Sequence, residues 1–291
     1  MNVEEQVPLA KWTTIGTGGP AQAFARPSTL GELEEALTWA SERELSVATV
    51  GLGSNLLAAD EGVQALVLKL AGELASVRVE GETLTAGGGA TNAVCLHQAR
   101  DAGLGGFEFA CAIPGTAGGG VWMNAGAYGS DWSQILVRAR VVTSDGAGWL
   151  TPAELGLSYR HSGLRHGQVV AEVEYRLVPR PSDEIKATVA ELIAQRKATQ
   201  PTNKRTFGSV FKNPDHELGA GRMLEECGLK GHAMGGAVIS PKHANFIENA
   251  GGATTADALG LMTEARRRVR ERFGVELEHE VELLGSIELP A

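Results

Sequence analysis

The alternation of apolar and polar positions along the chain predicts three successive regions. In the first, helical spacing over 28–43 places one apolar stripe on a single face, formed by Leu30, Leu33, Ala36, Leu37 and Ala40. Ser28 is the predicted N-cap of this helix. Short apolar runs at 46–50 and 65–70 predict two strands, so the first region is a small α/β unit.

The second region mixes strands with short helices. The predicted elements are a hairpin of 76–80 and 83–86 around Gly81-Glu82, a helix over 91–102, strands 138–143 and 149–150 on either side of Asp145-Gly146, and a long strand over 169–178.

The third region follows a helix predicted over 182–199. That helix ends before Gln200-Pro201, because the residue before a proline disfavours helical backbone. Beyond it the pattern predicts a helix over 220–227, strands over 237–240 and 246–249, a helix over 255–272 and a last apolar strand over 275–284. The predicted domains are 1–70, 71–199 and 200–291.

Composition and charge narrow the possible partners. The 291 residues carry a formal net charge of −9, and no long basic block occurs, so a nucleic-acid partner is not expected. Glycine is frequent, at 38 residues, and much of it lies in clusters of two or three. Glycine suits turns that approach a ligand closely. A bound phosphate would have to be held by backbone amides and a few local cations.

The chain offers no membrane or metal pattern. The first six residues are acidic, and no stretch of 18 apolar residues exists, which predicts a cytoplasmic protein without a membrane partner. Cys95, Cys111 and Cys227 are far apart and odd in number, so reduced thiols are expected. The histidines are scattered, and no metal site is predicted.

The first candidate binding segment is Gly51-Leu52-Gly53-Ser54-Asn55, directly after a predicted strand. Its glycines allow successive amides to curl around an anion, and Ser54 and Asn55 add donors. It is neither a dinucleotide-binding Gly-x-Gly-x-x-Gly nor a P-loop. An ordinary tight turn is an equally good interpretation.

The second candidate combines 113–120 with 123–129. Six glycines occur within the fifteen residues 115–129, and few charges accompany them. A solvated surface loop would carry more charged residues. The composition therefore favours a backbone cradle for a large planar ligand that bears phosphate.

Four further segments group polar side chains without defining a role. Arg160 in 157–162 is by itself an ordinary surface cation, and the polar residues of 208–214 also suit a capped turn. The segment 240–246 again sets polar groups beside apolar ones. In 277–281, strand alternation places Glu278 and Glu280 on one face, where an edge charge is the commoner interpretation.

Taken in this order, the six segments resemble the UDP-N-acetylenolpyruvoylglucosamine reductase family. The resemblance extends from Thr13-Thr14-Ile15-Gly16-Thr17-Gly18-Gly19-Pro20-Ala21 to Glu280, nearly the whole chain. It implies an α+β fold: a vanillyl-alcohol-oxidase-type FAD-binding domain of two α/β subdomains (1–70 and 71–199) and a C-terminal α/β substrate domain (200–291). The last strand, at about 275–285, would return towards the flavin.

The resemblance also implies the cofactors and their ligands. FAD would be bound non-covalently, and NADPH would be the hydride donor. The implied FAD-binding residues are Gly51, Gly53, Ser54, Asn55, Pro114, Gly115, Thr116, Gly118 and Gly119, with Asn124, Gly126 and Ala127 lining the flavin.

Catalytic and substrate residues follow from the same resemblance. Arg160 would lie between the flavin and the substrate carboxylate, Ser209 would protonate the intermediate, and Glu280 would face it. The implied substrate-binding residues are Tyr159, Arg196, Lys212, Asn213, His243 and Asn245.

The implied activity is the NADPH-dependent reduction of UDP-N-acetylglucosamine enolpyruvate to UDP-N-acetylmuramate, a step of peptidoglycan precursor synthesis. An FAD-dependent oxidase of the same fold is the main alternative. A non-catalytic nucleotide-binding module is the other.

The chain departs from the family pattern at two places. Only about twenty residues separate the predicted strand 169–178 from Gln200, which leaves no room for the tyrosine-bearing insertion of the longer family branch, so the chain resembles the shorter one. Gly120 stands where alanine is usual, and we expect it to loosen the loop slightly.

Overall fold

The computed structural model describes residues 2–289. Within this range the helices are α1 Leu30–Ser41, α2 Asn92–Asp101, α3 Ala117–Trp122, α4 Ser182–Thr199, α5 Ala220–Glu226 and α6 Thr255–Phe273. The first ten strands are β1 Val3–Pro8, β2 Pro20–Ala25, β3 Ser46–Thr49, β4 Leu56–Ala58, β5 Val63–Leu68, β6 Val77–Glu80, β7 Thr83–Gly87, β8 Leu104–Gly105, β9 Gly126–Ala127 and β10 Ser130–Asp131. The remaining strands are β11 Leu136–Thr143, β12 Gly146–Leu150, β13 Val169–Arg176, β14 Val178–Pro179, β15 Thr206–Ser209, β16 Ala233–Met234, β17 Ala237–Ile239, β18 Phe246–Asn249 and β19 Glu282–Leu284.

Most of the described strands belong to three larger sheets. Their strand orders are β1-β2-β5-β3, β12-β11-β13-β7-β6 and β15-β18-β17-β16. The pair β3–β5 is parallel, while the second and third sheets are antiparallel. The short strands β4 and β19 form a parallel pair far apart in sequence. The architecture is therefore mixed α and β.

The chain forms two compact units. The first comprises the residues up to Glu5 together with 23–52 and 65–196, and the second comprises 6–22, 53–64 and the residues from Lys197 onward. This division differs from the three predicted ranges, because it groups 6–22 and 53–64 with the C-terminal region. The segments 6–22 and 53–64 join the C-terminal region through contacts between residues far apart in sequence. No change in composition marks these segments, so a sequence pattern does not reveal the grouping.

The first unit contains two hydrophobic clusters. One packs the inner face of α1, with Leu33, Ala36 and Leu37, beside strand residues such as Leu66 and Val169. The other surrounds the buried aromatic side chains of Trp132 and Tyr175 and other apolar residues. Burial of each large apolar side chain contributes roughly 1.5–3 kcal/mol. The predicted apolar face of α1 is confirmed at its four buried positions.

The N-cap of α1 is Thr29 rather than the predicted Ser28. The Thr29 side chain accepts a hydrogen bond from the Glu32 amide at 3.2 Å. Ser28 instead binds the Glu32 carboxylate, through its amide at 2.7 Å and its hydroxyl at 2.6 Å. Serine and threonine are both good N-cap residues. Their roles differ here because the Glu32 carboxylate accepts hydrogen bonds from Ser28, while the Glu32 amide donates to Thr29.

The second unit is organised around α6. A capping box of Thr254 and Asp257 starts this helix, and Gly274 ends it in the left-handed conformation at φ 67°. The Asp60 carboxylate accepts hydrogen bonds from the Thr255 and Ala256 amides, both at 2.9 Å. A negative charge at a helix N-terminus is stabilising. These contacts fasten the segment 53–64 to the C-terminal region.

The predicted last strand over 275–284 is wrong in extent, since only Glu282–Leu284 pairs as a strand. Upstream of it, Phe211 and His279 form a single antiparallel bridge. The Lys212 amide donates to the Glu278 carbonyl at 2.9 Å, and the Glu280 amide donates to the Val210 carbonyl at 2.8 Å. The apolar alternation continues through 275–281, but within the described residues this part of the chain forms a strand-like backbone pair only at the Phe211–His279 bridge.

No helix within residues 2–289 is long and apolar enough to cross a membrane.

Candidate functional site

In the first unit, Gly51 of the first predicted glycine-rich segment lies beside Thr116 of the second. A Cβ built on Gly51 would lie 2.7 Å from the Thr116 hydroxyl oxygen. The backbone of Gly51 therefore packs directly on Thr116, which any larger residue at 51 would displace. The sequence predicted both segments as phosphate-binding, and the structure brings Gly51 and Gly115-Thr116 to one place.

Helix α3 begins inside the second glycine-rich segment, for which the sequence predicted a backbone cradle but no helix. Its N-cap is Thr116, whose hydroxyl accepts from the Gly119 amide at 3.4 Å. The Ala117 amide donates to the Ala90 carbonyl at 2.8 Å, and the Gly118 amide donates to the Gly88 carbonyl at 2.9 Å. The Gly118 amide thus already donates to a carbonyl of the protein. Gly118 would therefore serve a ligand only by leaving space for it, and not as a hydrogen-bond donor.

The same segment retains a surface that fits a phosphate-bearing group. Among the described residues, the amides of Gly115 and Thr116 donate to no backbone carbonyl. A Cβ on Gly119 would meet only the Thr116 hydroxyl oxygen within 4 Å, at 3.5 Å. Close approach of a ligand to backbone donors is the arrangement by which proteins hold phosphate without basic clusters.

A third glycine run, Gly87–Gly89, was not singled out in the sequence. A Cβ on Gly88 would lie 1.8 Å from the Val170 carbonyl oxygen, and one on Gly89 would lie 2.6 Å from the Leu70 carbonyl oxygen. This run also holds α3 through the Gly118 contact. Three consecutive glycines after a predicted strand were the available signal for it.

Arg160 is held against the predicted flavin-lining segment of the first unit. Its Nη2 atom donates to the Gly126 carbonyl at 2.6 Å. A Cβ on Gly126 would lie 3.0 Å from the Arg160 Nη1 atom and 2.6 Å from the Ser130 carbonyl oxygen, so glycine is needed for this approach. The buried Asn124 donates from its amide to the Ser158 carbonyl at 2.9 Å, which joins the segment to the turn that carries Arg160.

The turn at Arg160 is conformationally unusual. Ser158 and His161 exchange two backbone hydrogen bonds, and Arg160 has φ 52°. Left-handed backbone in a residue other than glycine costs on the order of 1 kcal/mol and is common at functional sites. The guanidinium also lies 5.0 Å from the ring centroid of Tyr159, whose side chain is exposed. Arg160 is therefore a positioned cation and not a free surface charge.

Arg196, near the end of α4, is half-buried in the first unit. Burial lowers the pKa of its guanidinium, while Tyr128 and Cys111 oppose the shift. Tyr128 has φ 53°, and its hydroxyl donates to the Leu192 carbonyl at 3.0 Å. The predicted substrate residue Arg196 thus lies beside a tyrosine of the glycine-rich segment, which the sequence did not indicate.

In the second unit, Ser209 and Glu280 lie on adjacent segments. Ser209 ends β15 opposite Phe246, after a register shift that includes Gly208 at φ 84°. The Glu280 amide donates to the carbonyl of Val210, the neighbour of Ser209. The backbones of Ser209 and Glu280, the two residues predicted to act together, therefore lie close to each other in space.

The rest of the first glycine-rich segment adjoins this pair. The Asn55 side chain donates to the Glu280 carbonyl at 3.1 Å. A Cβ on Gly208 would lie 3.2 Å from the Ser54 carbonyl oxygen. Gly53 has φ 66°, and a Cβ there would lie 1.9 Å from the Trp12 carbonyl oxygen. Position 53 therefore requires glycine because of its backbone conformation and its packing on Trp12, whether or not a ligand is bound.

Two of the predicted substrate residues have structural partners in the second unit. Asn245 accepts from the Phe211 amide at 3.0 Å and donates to the Phe211 carbonyl at 2.8 Å. Asn213 accepts from the Ala220 amide at 3.0 Å, at the start of α5. Both side-chain amides therefore hold the backbone, and their substrate roles stay predictions.

The other two predicted substrate residues of the second unit are Lys212, which is charged, and His243, which has a titratable ring. Lys212 pairs with Glu278 at 2.5 Å between Nζ and Oε1. His243 is partly buried, its Nδ1 atom accepts from the Asn245 amide at 3.2 Å, and burial with the nearby Lys230 lowers the pKa of its ring. Neither arrangement assigns a ligand by itself.

Among residues 2–289, no three His, Cys, Asp or Glu side chains are grouped to hold a metal ion.

Comparison with known families identifies the class. Residues 21–148 match the family model described as FAD binding domain. Residues 200–284 match UDP-N-acetylenolpyruvoylglucosamine reductase, C-terminal domain. The predicted fold class is confirmed as an FAD-binding domain followed by a C-terminal domain, and the chain is an FAD-dependent oxidoreductase.

Similar proteins extend over nearly the whole chain. The chain is 45% identical over 280 residues to UDP-N-acetylenolpyruvoylglucosamine reductase 2 of Symbiobacterium thermophilum, covering 96% of this chain and 91% of that protein. It is 41% identical over 289 residues to the reductase of Bacillus velezensis, covering 98% and 94%. The crystal structure of the reductase from Thermus caldophilus matches with a TM-score of 0.85 at 38% identity, covering 98% and 99%. The chain belongs to the UDP-N-acetylenolpyruvoylglucosamine reductase family, as the resemblance predicted.

Proposed function

We propose that the chain reduces UDP-N-acetylglucosamine enolpyruvate to UDP-N-acetylmuramate with NADPH through bound FAD, in peptidoglycan precursor synthesis. Family membership over nearly the entire length supports this activity. The structural observation that carries it is the guanidinium of Arg160, fixed on the Gly126 carbonyl beside the predicted flavin-lining segment.

The role of Arg160 follows from the charge that the reaction creates. When bound and reduced by NADPH, FAD would supply the hydride for the terminal carbon of the enol ether. The neighbouring carbon then carries negative charge that spreads into its carboxylate. A guanidinium keeps its charge and matches a carboxylate with two parallel donors. We assign Arg160 to stabilise this developing charge, the kind of interaction that contributes most to many enzymes.

The proton is assigned to Ser209. A hydroxyl is a weak acid in water, but a positioned donor within hydrogen-bond reach of a carbanion needs little acidity. Glu280 is assigned either to hold a proton for Ser209 or to act as an orienting charge. The proximity of Glu280 to the Ser209–Val210 backbone supports their joint assignment. A Glu280→Gln variant separates the alternatives, since only a proton reservoir would give a changed pH–rate profile.

Substrate binding is assigned to Tyr159, Arg196, Lys212, Asn213, His243 and Asn245. Of these, the exposed ring of Tyr159 and the half-buried cation of Arg196 offer side chains suited to a sugar nucleotide. Asn213 and Asn245 would act mainly by holding the backbone around Phe211 and α5. A cytoplasmic location remains the corresponding prediction.

One experiment separates this proposal from its alternatives. The yellow holoenzyme is mixed anaerobically with NADPH and then with the enolpyruvyl nucleotide sugar, and the flavin absorbance is followed. Bleaching by NADPH and return of the band with substrate is the expected result. Return only with oxygen or a dye would favour an oxidase of the same fold. A colourless preparation that binds nucleotides would favour a non-catalytic module.

A further inference from the structure

Lys69 lies at the meeting point of the glycine-rich segments, although no pattern in the sequence marked it. It directly follows β5, and its amide donates to the Ala25 carbonyl at 2.9 Å. Its ammonium group donates to the carbonyl oxygen of Gly51. Gly51 in turn packs on Thr116. A cation therefore lies at the turn that adjoins the second predicted phosphate-binding segment.

The ammonium group of Lys69 lies in a partly desolvated position near a second cation. Its side chain is half-buried, and burial lowers the pKa of the ammonium. The nearby Arg26 lowers that pKa further. A cation in such a position interacts more strongly with a nearby anion than a fully solvated one would. Two phosphates held between Gly51 and the Gly115-Thr116 amides would place negative charge near this ammonium.

The net charge of the chain strengthens the argument. The protein is acidic overall, with a formal net charge of −9, so its net charge does not attract a dianionic pyrophosphate. The Gly51 turn is then attractive to phosphate only through local donors and local cations. Lys69 lies in contact with this turn, so its charge acts there at short range and in a partly desolvated setting.

We propose that Lys69 is a further FAD-binding residue, which holds the Gly51 turn through its carbonyl and supplies positive charge to the FAD pyrophosphate. The inference rests on the FAD dependence of the proposed function. It assigns Lys69 to binding only, because nothing in its position relates it to hydride or proton transfer. Its loss should therefore change the retention of FAD by the protein.

The test uses the purified holoenzyme with FAD as the probe. The dissociation constant is measured by diluting the holoenzyme and following the fluorescence of released FAD at 50 mM and 500 mM KCl. The variants are Lys69→Met and Lys69→Gln, which remove the charge, and Lys69→Arg, which keeps it. Lys186→Met is the matched control, since Lys186 is an exposed lysine of α4 paired with Asp183.

The two neutral variants should weaken FAD binding roughly tenfold or more at 50 mM KCl, the usual effect of losing one charge-assisted contact. The gap to the wild type should narrow at 500 mM KCl, because salt screens charge attraction. Lys69→Arg and Lys186→Met should stay near the wild type. Unchanged affinity in both neutral variants overturns the proposal. An equal loss at both salt concentrations also overturns it, since Lys69 would then only brace the turn.

Failure of this inference differs from failure of the proposed function. A wild-type preparation that never retains FAD contradicts the cofactor itself. A yellow wild type with equally yellow Lys69 variants contradicts only the role of Lys69. Circular dichroism of Lys69→Met and Lys69→Gln separates weak binding from unfolding. If only one of the two variants is folded, its FAD affinity is the one compared with the wild type.

Discussion

The indole ring of Trp132 occupies the space that a Cβ on Gly120 would take. Such an atom would lie 2.3 Å from Cε2 and 2.7 Å from Nε1 of the ring. Trp132 is fully buried, and its Nε1 atom donates to the Tyr175 hydroxyl at 2.8 Å. Gly120 therefore has a packing role within α3. We expected this glycine to loosen a loop, but it lies in a helix and allows that helix to pack closely on a buried ring.

Gly120→Ala should accordingly destabilise the protein. Alanine is favoured over glycine in a helix by about 1 kcal/mol, but overpacking a filled core costs about 1–3 kcal/mol. The Trp132 ring is fixed by its hydrogen bond and its aromatic neighbours, so the loss should prevail. Urea unfolding measures the difference in the free energy of unfolding.

The matched control is Gly31→Ala in α1, where a Cβ would meet no atom within 4 Å. This variant should be as stable as the wild type or more stable. A double-mutant cycle with Trp132→Phe should show coupling between positions 120 and 132. A Gly120→Ala protein as stable as the Gly31→Ala control would contradict the packing role.

Periodicity predicted the long elements well and the contacts poorly. The predicted helix over 182–199 matches α4, and the predicted strand over 246–249 matches β18. The N-terminal strands β1 and β2 were missed because the first 27 residues lack a clear alternation. The relation between Gly120 and Trp132 was also beyond the sequence, since a Gly in a glycine-rich segment gives no sign of which ring packs against it.

Flavin retention should depend on Gly119. A Cβ on Gly118 would lie 2.9 Å from the Gly88 carbonyl oxygen, so a larger residue there disturbs the fold itself. At Gly119 the structure leaves room for a side chain, which would then occupy the surface proposed for phosphate. Gly119→Val should yield folded protein poor in flavin, measured by the ratio of absorbance at the flavin band to that of the protein.

The control for this change is Gly148→Val in β12, where a Cβ would meet no atom within 4 Å. It should remain fully yellow. A folded Gly119→Val protein with normal flavin content would show that the segment 115–119 does not hold the pyrophosphate.

Arg160→Lys should slow turnover of the enolpyruvyl substrate by about tenfold or more, a loss of about 1.4 kcal/mol in transition-state stabilisation. Lysine keeps the charge but lacks the fork that binds Gly126 while facing a carboxylate. The measurement is kcat and kcat/KM on protein with full flavin content. The exposed Arg165→Lys is the control, and normal turnover in both variants would return Arg160 to an ordinary surface residue.

Acid sensitivity should depend partly on Glu264. Hydrogen bonds from Arg267 and Arg268 lower the pKa of this carboxyl from 4.5 to about 2. A depressed pKa stabilises the folded state above the unfolded value of about 4.5, and this stabilisation is lost as pH falls towards 2. Glu264→Gln should therefore lower stability at neutral pH and flatten its decline between pH 4.5 and 2. The exposed Glu34→Gln in α1 is the control, and parallel stability–pH curves for the wild type and Glu264→Gln would contradict the linkage.

The candidate site was predictable in type but not in detail. The order of the glycine-rich and polar segments led to the family, and the comparisons confirm it. Lys69 was missed because a lysine after an apolar strand is an ordinary way for a strand to end. The engagement of the Gly118 amide and the Asn245 side chain within the protein depends on partners remote in sequence, Gly88 and Phe211.

Ser209→Ala should separate the two half-reactions. Ser209 is proposed only as the proton donor to the carbanion, so reduction of the flavin by NADPH should proceed at nearly the normal rate. Reoxidation by the enolpyruvyl substrate should slow by roughly 10²–10⁴, the usual contribution of a positioned general acid. Stopped-flow absorbance at the flavin band measures both rates, with the exposed Ser144→Ala as the control. The change removes one oxygen at the end of β15 and leaves the conformation of Gly208 intact, so a large folding defect is not expected. Equal slowing of both half-reactions would mean that Ser209 shapes the flavin environment instead. Normal rates in both would assign the proton to water or Glu280 and leave Ser209 as a residue of the turn.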